Sequence, residues 1–276
     1  LSITMQPLKK RNSHIAILLL LLILAVGAMI ALKKCSACRH RYMCGTAPGD
    51  TVNVALQYSP VSFYMKGDTL GGVDYDLLHI ISRTHDIHFR YTPVTTAAEG
   101  LAGLRAGRFD IVAANLPMTS ALRDSFLVTE PVYSDRQVLI QLRDTTGHRK
   151  MVESTLGLRG DTVYVTRNSP NVERLQNLIR EIGDTIYIRE VPNTAEQLFI
   201  MTALGEIQLA VINEQIARSM SDDYPQVDYS TGVSFTQFQP WVLQKDEQAL
   251  CDSLNSWLTQ LKETPLYREL VKRYFD

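Results

Sequence analysis

The fold is decided by residues 87–114, which read IHFRYTPVTTAAEGLAGLRAGRFDIVAA. Apolar and polar residues alternate over 87–91, a pattern typical of a half-buried strand. Residues 96–99, TAAE, form a capping box that opens a helix, and Gly107 is placed to end it. Residues 109–114 then form a short apolar run, which suits a strand buried on both faces. A strand, a helix and a second buried strand in this order predict a parallel sheet with a crossover helix.

The same alternation continues on both sides of this stretch. Before it, a strand pattern at 51–57 is followed by helical spacing at 73–81. After a polar gap at 143–150, capped helix starts separate further strand patterns, at residues 162–166, 185–189 and 209–212. From Leu250 onward the chain has the pattern of two helices, with an apolar stripe expected to pack in a core. The roughly 225 residues after position 50 therefore predict two α/β lobes, each with its own core.

The N-terminal part of the chain has a different composition. Residues 15–32 form an uncharged run of 18 residues, which at ~1.5 Å per residue approaches the ~30 Å hydrocarbon core of a bilayer. We expect this run to be an uncleaved transmembrane helix, between a basic tail at 1–14 and a cysteine-containing linker at 33–50. A cleavable signal peptide is the alternative, because three basic residues precede the run at 9–11.

Charge is divided unevenly between the leader and the rest of the chain. Residues 1–49 carry 7 of the 28 lysines and arginines and none of the 29 acidic residues. The remainder therefore has 21 basic against 29 acidic residues, a net charge of −8. An acidic module of this kind is a poor nucleic-acid binder, whereas the basic leader suits lipid headgroups.

Cysteine and histidine spacing does not predict a metal site, and we expect no cofactor. The leader contains C-x2-C-x5-C, at Cys35, Cys38 and Cys44, for which His40 is the only nearby fourth ligand. A disulfide, an acylated thiol or an idle membrane-proximal thiol are the other interpretations. Cys251 falls in an amphipathic helix pattern and is expected in the core. The remaining candidates lack the spacing of metal ligands: His79, His85 and His88.

The sequence does not predict a catalytic centre. It has no G-x-S-x-G, P-loop or H-E-x-x-H motif. Asp74 and Asp76 could be taken for a pair of catalytic carboxylates, but they lie two apart at a helix start. There we expect them to cap the helix and complement its dipole.

Three short motifs follow one another at characteristic spacing. Residues 72–77, GVDYDL, are similar to G-[FY]-x-x-D-[LV], and residues 104–110, LRAGRFD, to L-x-x-G-x-[FV]-D. Residues 129–133, TEPVY, are similar to [ST]-[DE]-P-Y-[YF]. In this order and spacing they resemble the motifs of the family 3 periplasmic solute-binding proteins. The resemblance covers residues 51–276 and implies an α/β fold, the two-lobed type II periplasmic-binding-protein clamshell. Lobe 1 is expected at 51–140 plus 236–276 and lobe 2 at 141–235.

A closer resemblance is carried by residues 129–139, TEPVYSDRQVL, 169–175, SPNVERL, and 265–275, PLYRELVKRYF. These stretches are similar to the solute-binding-like N-terminal module of membrane-bound lytic transglycosylase F. In those enzymes a glycan-cleaving domain follows the module. Because the sequence ends at Asp276, we expect the module without that domain and without catalytic activity.

The resemblance also implies a ligand between the lobes, which close about two crossing strands near 139–143 and 229–239. Two aromatic residues, Tyr58 and Phe63, lie where the family has an aromatic wall, of which at least one is expected to line the cleft. Arg123 would bind a carboxylate as a bidentate fork. It comes one residue later than the family spacing, and a surface arginine paired with an acid is the alternative.

Three polar residues complete the candidate ligand-binding set. Thr119 and Ser169 precede helices, so their hydroxyls could contact a ligand or simply cap the helix. Asn213 stands where amino-acid-binding members have an aspartate that holds the ammonium group. An asparagine keeps a hydrogen bond but loses the charge, so a free amino acid is less expected.

These observations predict a membrane-anchored solute-binding module that faces the periplasm and closes on a small polar ligand. The ligand is expected to be amino-acid-like or derived from peptidoglycan. Expected partners are this ligand, the membrane through residues 15–32, and a transporter or a cell-wall enzyme, with no nucleic acid. The alternative is a non-catalytic regulatory or scaffold protein of cell-wall turnover with a vestigial or sensing cleft. An enzyme, acting alone or with a separate transglycosylase, is a third interpretation.

Overall fold

The computed structural model describes Leu22, residues 51–144 and residues 151–275. Apart from Leu22, the predicted anchor at 15–32 lies outside these residues, as do the tail at 1–14 and the linker at 33–50. Within the described part, none of the helices combines the length and the apolar character that crossing a membrane requires.

Strands and helices alternate through the described residues, as the sequence predicts. The strands are β1 (Thr51–Gln57), β2 (Tyr64–Lys66), β3 (Thr69–Gly71), β4 (His88–Val94), β5 (Ile111–Ala113), β6 (Leu127–Val128), β7 (Tyr133–Asp135), β8 (Gln137–Leu142), β9 (Thr162–Thr166), β10 (Tyr187–Val191), β11 (Ala210–Asn213), β12 (Val227–Asp228), β13 (Gln237–Gln239) and β14 (Val242–Leu243). The helices are α1 (Val73–His85), α2 (Ala97–Arg105), α3 (Ser120–Ser125), α4 (Pro170–Ile182), α5 (Ala195–Ala203), α6 (Glu214–Ser221), α7 (Gln248–Lys262) and α8 (Pro265–Phe275), with a 3-10 turn at Thr155–Leu158.

The first lobe is built on a five-stranded sheet in the order β4-β1-β5-β14-β6. Strand β1 pairs in parallel with β4 and β5, as the pattern at 87–114 predicts, whereas β14 returns antiparallel between β5 and β6. The predicted helix cap is confirmed, because Thr96 Oγ1 accepts from Glu99 N at 3.2 Å. The Glu99 carboxylate accepts from Thr95 N at 2.9 Å, one residue earlier than in the standard box. C-terminal helix α8 packs against α1 and α7, and so belongs to this lobe.

The second lobe is built on a five-stranded sheet in the order β10-β9-β11-β8-β12. Strands β10, β9 and β11 are parallel, while β8 and β12 run antiparallel to their neighbours. Each lobe has its own apolar core, centred on Leu104 and Val112 in the first lobe and on Leu139 and Leu175 in the second. The two α/β lobes predicted from the sequence are therefore present.

The chain passes from lobe 1 to lobe 2 through a short antiparallel ribbon, in which β7 pairs with β13. All of β8 lies in the second sheet, so the first crossing occurs at 133–136. The sequence placed this crossing at 139–143 and the lobe boundary at 140/141, which falls inside β8. The difference arises because the sequence of residues 137–142 would suit a buried strand in either lobe. Only the strands that pair with it show which sheet it joins. The return crossing at β13 lies within the predicted 229–239.

Asp74 does not have the role at the helix start that the sequence suggested. It is 1% exposed, and its carboxylate accepts from Ser62 Oγ at 2.6 Å and from Trp241 Nε1 at 2.7 Å. Asp76 accepts instead from the hydroxyl of Tyr274 on α8, at 2.8 Å. Both carboxylates thus connect α1 to distant parts of lobe 1, which sequence spacing alone does not reveal.

Candidate functional site

A narrow cleft lies between the two lobes at the ends of their strands. Its volume is about 50 Å³, which is room for a few water molecules. Residues of both lobes line it: Gln57, Tyr58, Thr95, Thr96, Ala97 and Asn115 from lobe 1, and Thr166, Arg167, Asn168, Ser169, Pro170, Asn171, Thr194, Ala195, Glu196, Asn213 and Ile216 from lobe 2. Ligands of open α/β sheets bind at this position, outside the carboxyl ends of the strands.

The cleft opens at one end into a much wider groove of about 990 Å³. Four residues line both the cleft and the groove, which makes them continuous: Tyr58, Thr95, Thr194 and Glu196. Helix α8 forms part of the groove wall through Arg273 and Tyr274. Arg218 of lobe 2 donates to the carbonyl oxygen of Phe275 at 2.6 Å, so the groove is also bridged by a contact between the lobes.

A chain of side-chain hydrogen bonds joins the lobes beside the cleft. Asn213 Nδ2 donates to Asn115 Oδ1 at 2.8 Å, and Asn115 Nδ2 donates to Asp135 Oδ2 at 2.9 Å. The other carboxylate oxygen, Asp135 Oδ1, accepts from the backbone N–H groups of Arg136, at 2.8 Å, and of Gln215, at 3.3 Å. Asn115, just after β5, thereby meets residues of β7, β11 and α6 at one buried point.

Asp135 is buried with its negative charge only partly compensated. Burial raises its pKa to about 6, although the hydrogen bonds from Asn115, Arg136 and Gln215 oppose this increase. The guanidinium of Arg136 does not reach the carboxylate of Asp135. It forms a bidentate pair with Glu214, at 2.6 and 2.9 Å.

The start of α4 presents unpaired polar atoms in the cleft wall. Ser169 occupies the N-cap position before Pro170, but its side chain makes no capping hydrogen bond. Its buried Oγ has no partner among the residues that the structure describes. Asn171, 4% exposed, donates from Nδ2 to Val211 O at 3.1 Å, while its buried Oδ1 also lacks a described partner. A plain N-cap role therefore does not account for Ser169.

The two predicted aromatic residues lie in different environments. Tyr58 is half exposed and lines both the cleft and the groove. Phe63 is 6% exposed and belongs to the lobe 1 core, where its ring meets Tyr58 edge-on at a centroid distance of 6.3 Å. Of the two, the structure brings only Tyr58 to the cleft surface.

The predicted residues at the start of α3 and on it, Thr119 and Arg123, do not line the cleft itself. Thr119 caps this helix by accepting from Leu122 N at 3.2 Å, and it lines a side groove that also reaches Ser169. Arg123 lies on another surface, with Nη2 2.5 Å from Met118 Sδ. One residue of helix corresponds to about 100° of rotation, which accounts for this position after a one-residue shift in spacing.

The structure thus brings Tyr58, Ser169 and Asn213 together at the cleft, with Thr119 behind Ser169, and it does not bring Arg123 there. Sequence reasoning missed Asn115 and Asp135. Asn115 follows a buried strand, just as Asn213 does at the end of β11, and this shared position is the signal that could have identified it. Asp135 gave no such signal, since its partners are distant in sequence.

Two α/β lobes, a connecting ribbon and a polar cleft between them define a two-lobed solute-binding fold. The chain belongs to the bacterial extracellular solute-binding proteins, family 3, because the model of that family matches residues 51–276.

Curated relatives include the membrane-bound lytic murein transglycosylase F of two Shewanella species. The protein from Shewanella pealeana is 26% identical over 226 residues, which cover 80% of this chain and 46% of that relative. The protein from Shewanella sediminis is 22% identical over 259 residues, covering 93% of this chain and 53% of the relative. The chain therefore spans about half the length of the curated relatives it matches, and only their solute-binding module is matched.

Solved structures with the same fold include amino-acid-binding proteins. An ancestral arginine-binding protein bound to arginine superposes with a TM-score of 0.71 at 17% identity, covering 83% of this chain and 100% of that one. The substrate-binding protein of an amino acid ABC transporter gives 0.70 at 16% identity, with coverages of 82% and 99%. At these identities the likeness shows the fold.

Proposed function

We propose that this protein is a solute-binding module whose lobes close on a small polar ligand, amino-acid-like or peptidoglycan-derived. The observation that carries the proposal is the pair of unpaired buried oxygens, Ser169 Oγ and Asn171 Oδ1, in the wall of a cleft that both lobes line. A buried polar atom without a partner costs about 1–3 kcal/mol, which a ligand with matching groups would recover. The module itself has no catalytic role in this proposal.

The proposed location is the periplasmic face of a membrane, with residues 15–32 as the anchor. This is supported by the uncharged run at 15–32, by the extracellular setting of the family and by the membrane-bound relatives. The proposed partner is a transporter or a cell-wall enzyme. The likeness to a transporter's substrate-binding protein supports the first, and the likeness to lytic transglycosylase F supports the second.

A ligand that binds the folded module should raise its thermal stability. At a free concentration of 100 times Kd the gain is about 2.7 kcal/mol. For a module of this size the gain corresponds to a rise in Tm of roughly 5–10 °C. The measurement is a thermal-shift screen of the purified chain against amino acids, muropeptides and sugars. If none of these compounds changes Tm, the solute-binding proposal is contradicted and the alternative below is favoured.

The second candidate function is a non-catalytic regulatory or scaffold protein of cell-wall turnover. The narrow cleft favours it, since the cleft itself, without the groove into which it opens, has about 50 Å³, less than a typical small-molecule pocket of about 300–1,000 Å³. The relation to lytic transglycosylase F supports the cell-wall context. Release of muropeptides from purified cell wall by this chain alone would contradict both non-catalytic functions.

Replacing Ser169 with alanine is expected to weaken ligand binding without weakening the fold. Because Ser169 Oγ has no described hydrogen-bond partner, the free energy of unfolding should fall by less than about 0.5 kcal/mol or should rise. The Kd for a ligand found in the screen should increase about five- to tenfold, the equivalent of one hydrogen bond. Urea unfolding and calorimetric titration measure the two effects.

The matched control is Thr264→Ala, at the start of α8 and outside the cleft. Thr264 Oγ1 accepts from Tyr267 N at 3.2 Å, so losing this cap should cost about 1 kcal/mol and leave Kd unchanged. An unchanged Kd in Ser169→Ala would show that this hydroxyl does not contact the ligand.

A further inference from the structure

The hydrogen-bond chain from Asp135 to Asn213 has a fixed direction. An ionised carboxylate only accepts hydrogen bonds, so Asn115 must present Nδ2 to Asp135 and Oδ1 to the opposite side. That Oδ1 accepts from Asn213 Nδ2, which leaves Oδ1 as the remaining polar atom of the Asn213 amide. Within the described part of the chain Asn213 Oδ1 accepts no hydrogen bond, and Asn213 lines the cleft.

The surroundings of Asp135 preserve this direction. Three charged or titratable groups face its carboxylate: Arg136, Glu214 and Tyr133. Arg136 is held by Glu214, and no side-chain cation within the described residues hydrogen bonds to the Asp135 carboxylate. Burial raises the pKa of Tyr133 well above its usual value, and nearby Asp74 and Asp135 add to this increase, so Tyr133 stays neutral. The Asp135 carboxylate therefore remains a hydrogen-bond acceptor for Asn115 and fixes the orientation of the Asn115 amide.

We infer that Asp135 and Asn115 are positioning residues that turn the carbonyl oxygen of Asn213 into the cleft, so that the ligand must present an N–H donor there. The inference rests on the proposed function and defines its ligand class more closely. Asn213 carries no formal charge, so a protonated amine and a neutral amide both satisfy it. Asn171 Oδ1, another unpaired acceptor in the same wall, adds to this preference for N–H donors.

Asp135→Asn should reverse the donor and acceptor direction of the whole hydrogen-bond chain from residue 135 to Asn213. Both backbone N–H donors contact Oδ1 of residue 135, so the new amide must place its carbonyl oxygen there and its NH2 group toward Asn115. Two NH2 groups would then meet, which forces the amide of Asn115 to rotate. Asn213 must in turn offer its oxygen to Asn115 and its NH2 group to the cleft. In the variant, the group that Asn213 presents to the cleft is thus a hydrogen-bond donor instead of an acceptor.

The first test needs no ligand and uses the full chain in detergent micelles. In the wild type, the side-chain NH2 signals of Asn115 and Asn213 should shift together between pH 8 and pH 4.5. They should share one midpoint, that of the Asp135 carboxyl, whose pKa burial raises to about 6. In Asp135→Asn neither pair should titrate in this range. Asp74→Asn is the control, because the pKa of Asp74 is also raised to about 6, by burial. It should leave the shared titration in place. Asn115 and Asn213 signals that titrate independently of each other, or that still titrate together in Asp135→Asn, would overturn the inference.

The second test uses two matched pairs of ligands that differ only in the amine. L-Glutamine is compared with its deamino analogue glutaramate, and L-arginine with 5-guanidinopentanoate. The wild type should bind the amine of each pair about tenfold more tightly, and Asp135→Asn should lose or reverse this preference. An unchanged preference in the variant would overturn the inference. If neither amine binds the wild type, the amino-acid-like ligand of the proposed function fails, while the titration still decides whether the hydrogen-bond chain exists.

Discussion

Replacing Gly72 with alanine is expected to destabilise the first lobe severely. Gly72 has φ 120° and ψ 145°, a backbone conformation open almost only to glycine. A Cβ atom at this position would lie 2.3 Å from the carbonyl oxygen of Ser62 and 2.7 Å from Phe63 Cα. Both are backbone atoms, so no side-chain rotation relieves the clash.

The backbone around Gly72 cannot easily move aside. Gly72 N donates to the hydroxyl of Tyr274 at 2.7 Å, and the next residue, Val73, donates from its N to Val61 O at 2.7 Å. These bonds join the start of α1 to α8 and to the loop that carries Tyr58 into the cleft. We therefore expect a loss of about 4 kcal/mol or more, from a total stability typically of about 5–15 kcal/mol.

Gly67→Ala provides the matched control for this substitution. Gly67 also has a positive φ, of 61°, but nothing lies within 4 Å of a Cβ built there. Its cost should be limited to the backbone preference of about 1–2 kcal/mol. Urea unfolding of both variants measures the two losses. Equal losses would show that the close approach to Ser62 and Phe63 is unimportant.

Local patterns predicted the elements of this fold, because capping and alternation depend on neighbouring residues. The N-cap at Thr96 and a buried strand within 109–114 form as expected, and so does the parallel pairing of β1 with β4 and β5. The point at which the chain changes lobe was not predicted as accurately. Residues 137–142 suit a buried strand in either sheet, and the choice depends on pairing with the distant strands β11 and β12.

The candidate site was predictable where a residue's position along an element determines its role. Ser169 and Asn213 lie at a helix start and a strand end, and both line the cleft. Arg123 shows the limit of this reasoning, since a shift of one residue in a helix changes which surface it faces. Asn115 and Asp135 depend on partners up to 98 residues away, such as Asn213, and no local pattern reports such contacts.

Asp74 gives the prediction with the second largest effect, which is a dependence of stability on pH. Its carboxyl is fully buried in lobe 1, and burial raises its pKa from 3.8 to about 6, against the opposing hydrogen bonds from Ser62 and Trp241. Between these two pH values the unfolded chain loses this proton while the folded chain keeps it. Folding is therefore favoured at low pH, and stability falls as pH rises from about 4 to about 6.

Asp74→Asn should remove this loss of stability. The shift of about two pKa units corresponds to about 3 kcal/mol. The stability of the variant relative to the wild type should therefore increase by about this amount between pH 4 and pH 7. The new amide can still accept from Trp241, while Ser62 rotates to accept from the amide and to donate to Ala113 O, 3.5 Å away. Asp135, whose pKa is also raised to about 6 by burial, is present in both chains, so its contribution cancels in the difference. Urea unfolding at pH 4, 5, 6 and 7 measures this difference. Parallel curves for wild type and variant would show that folding does not shift the pKa of Asp74.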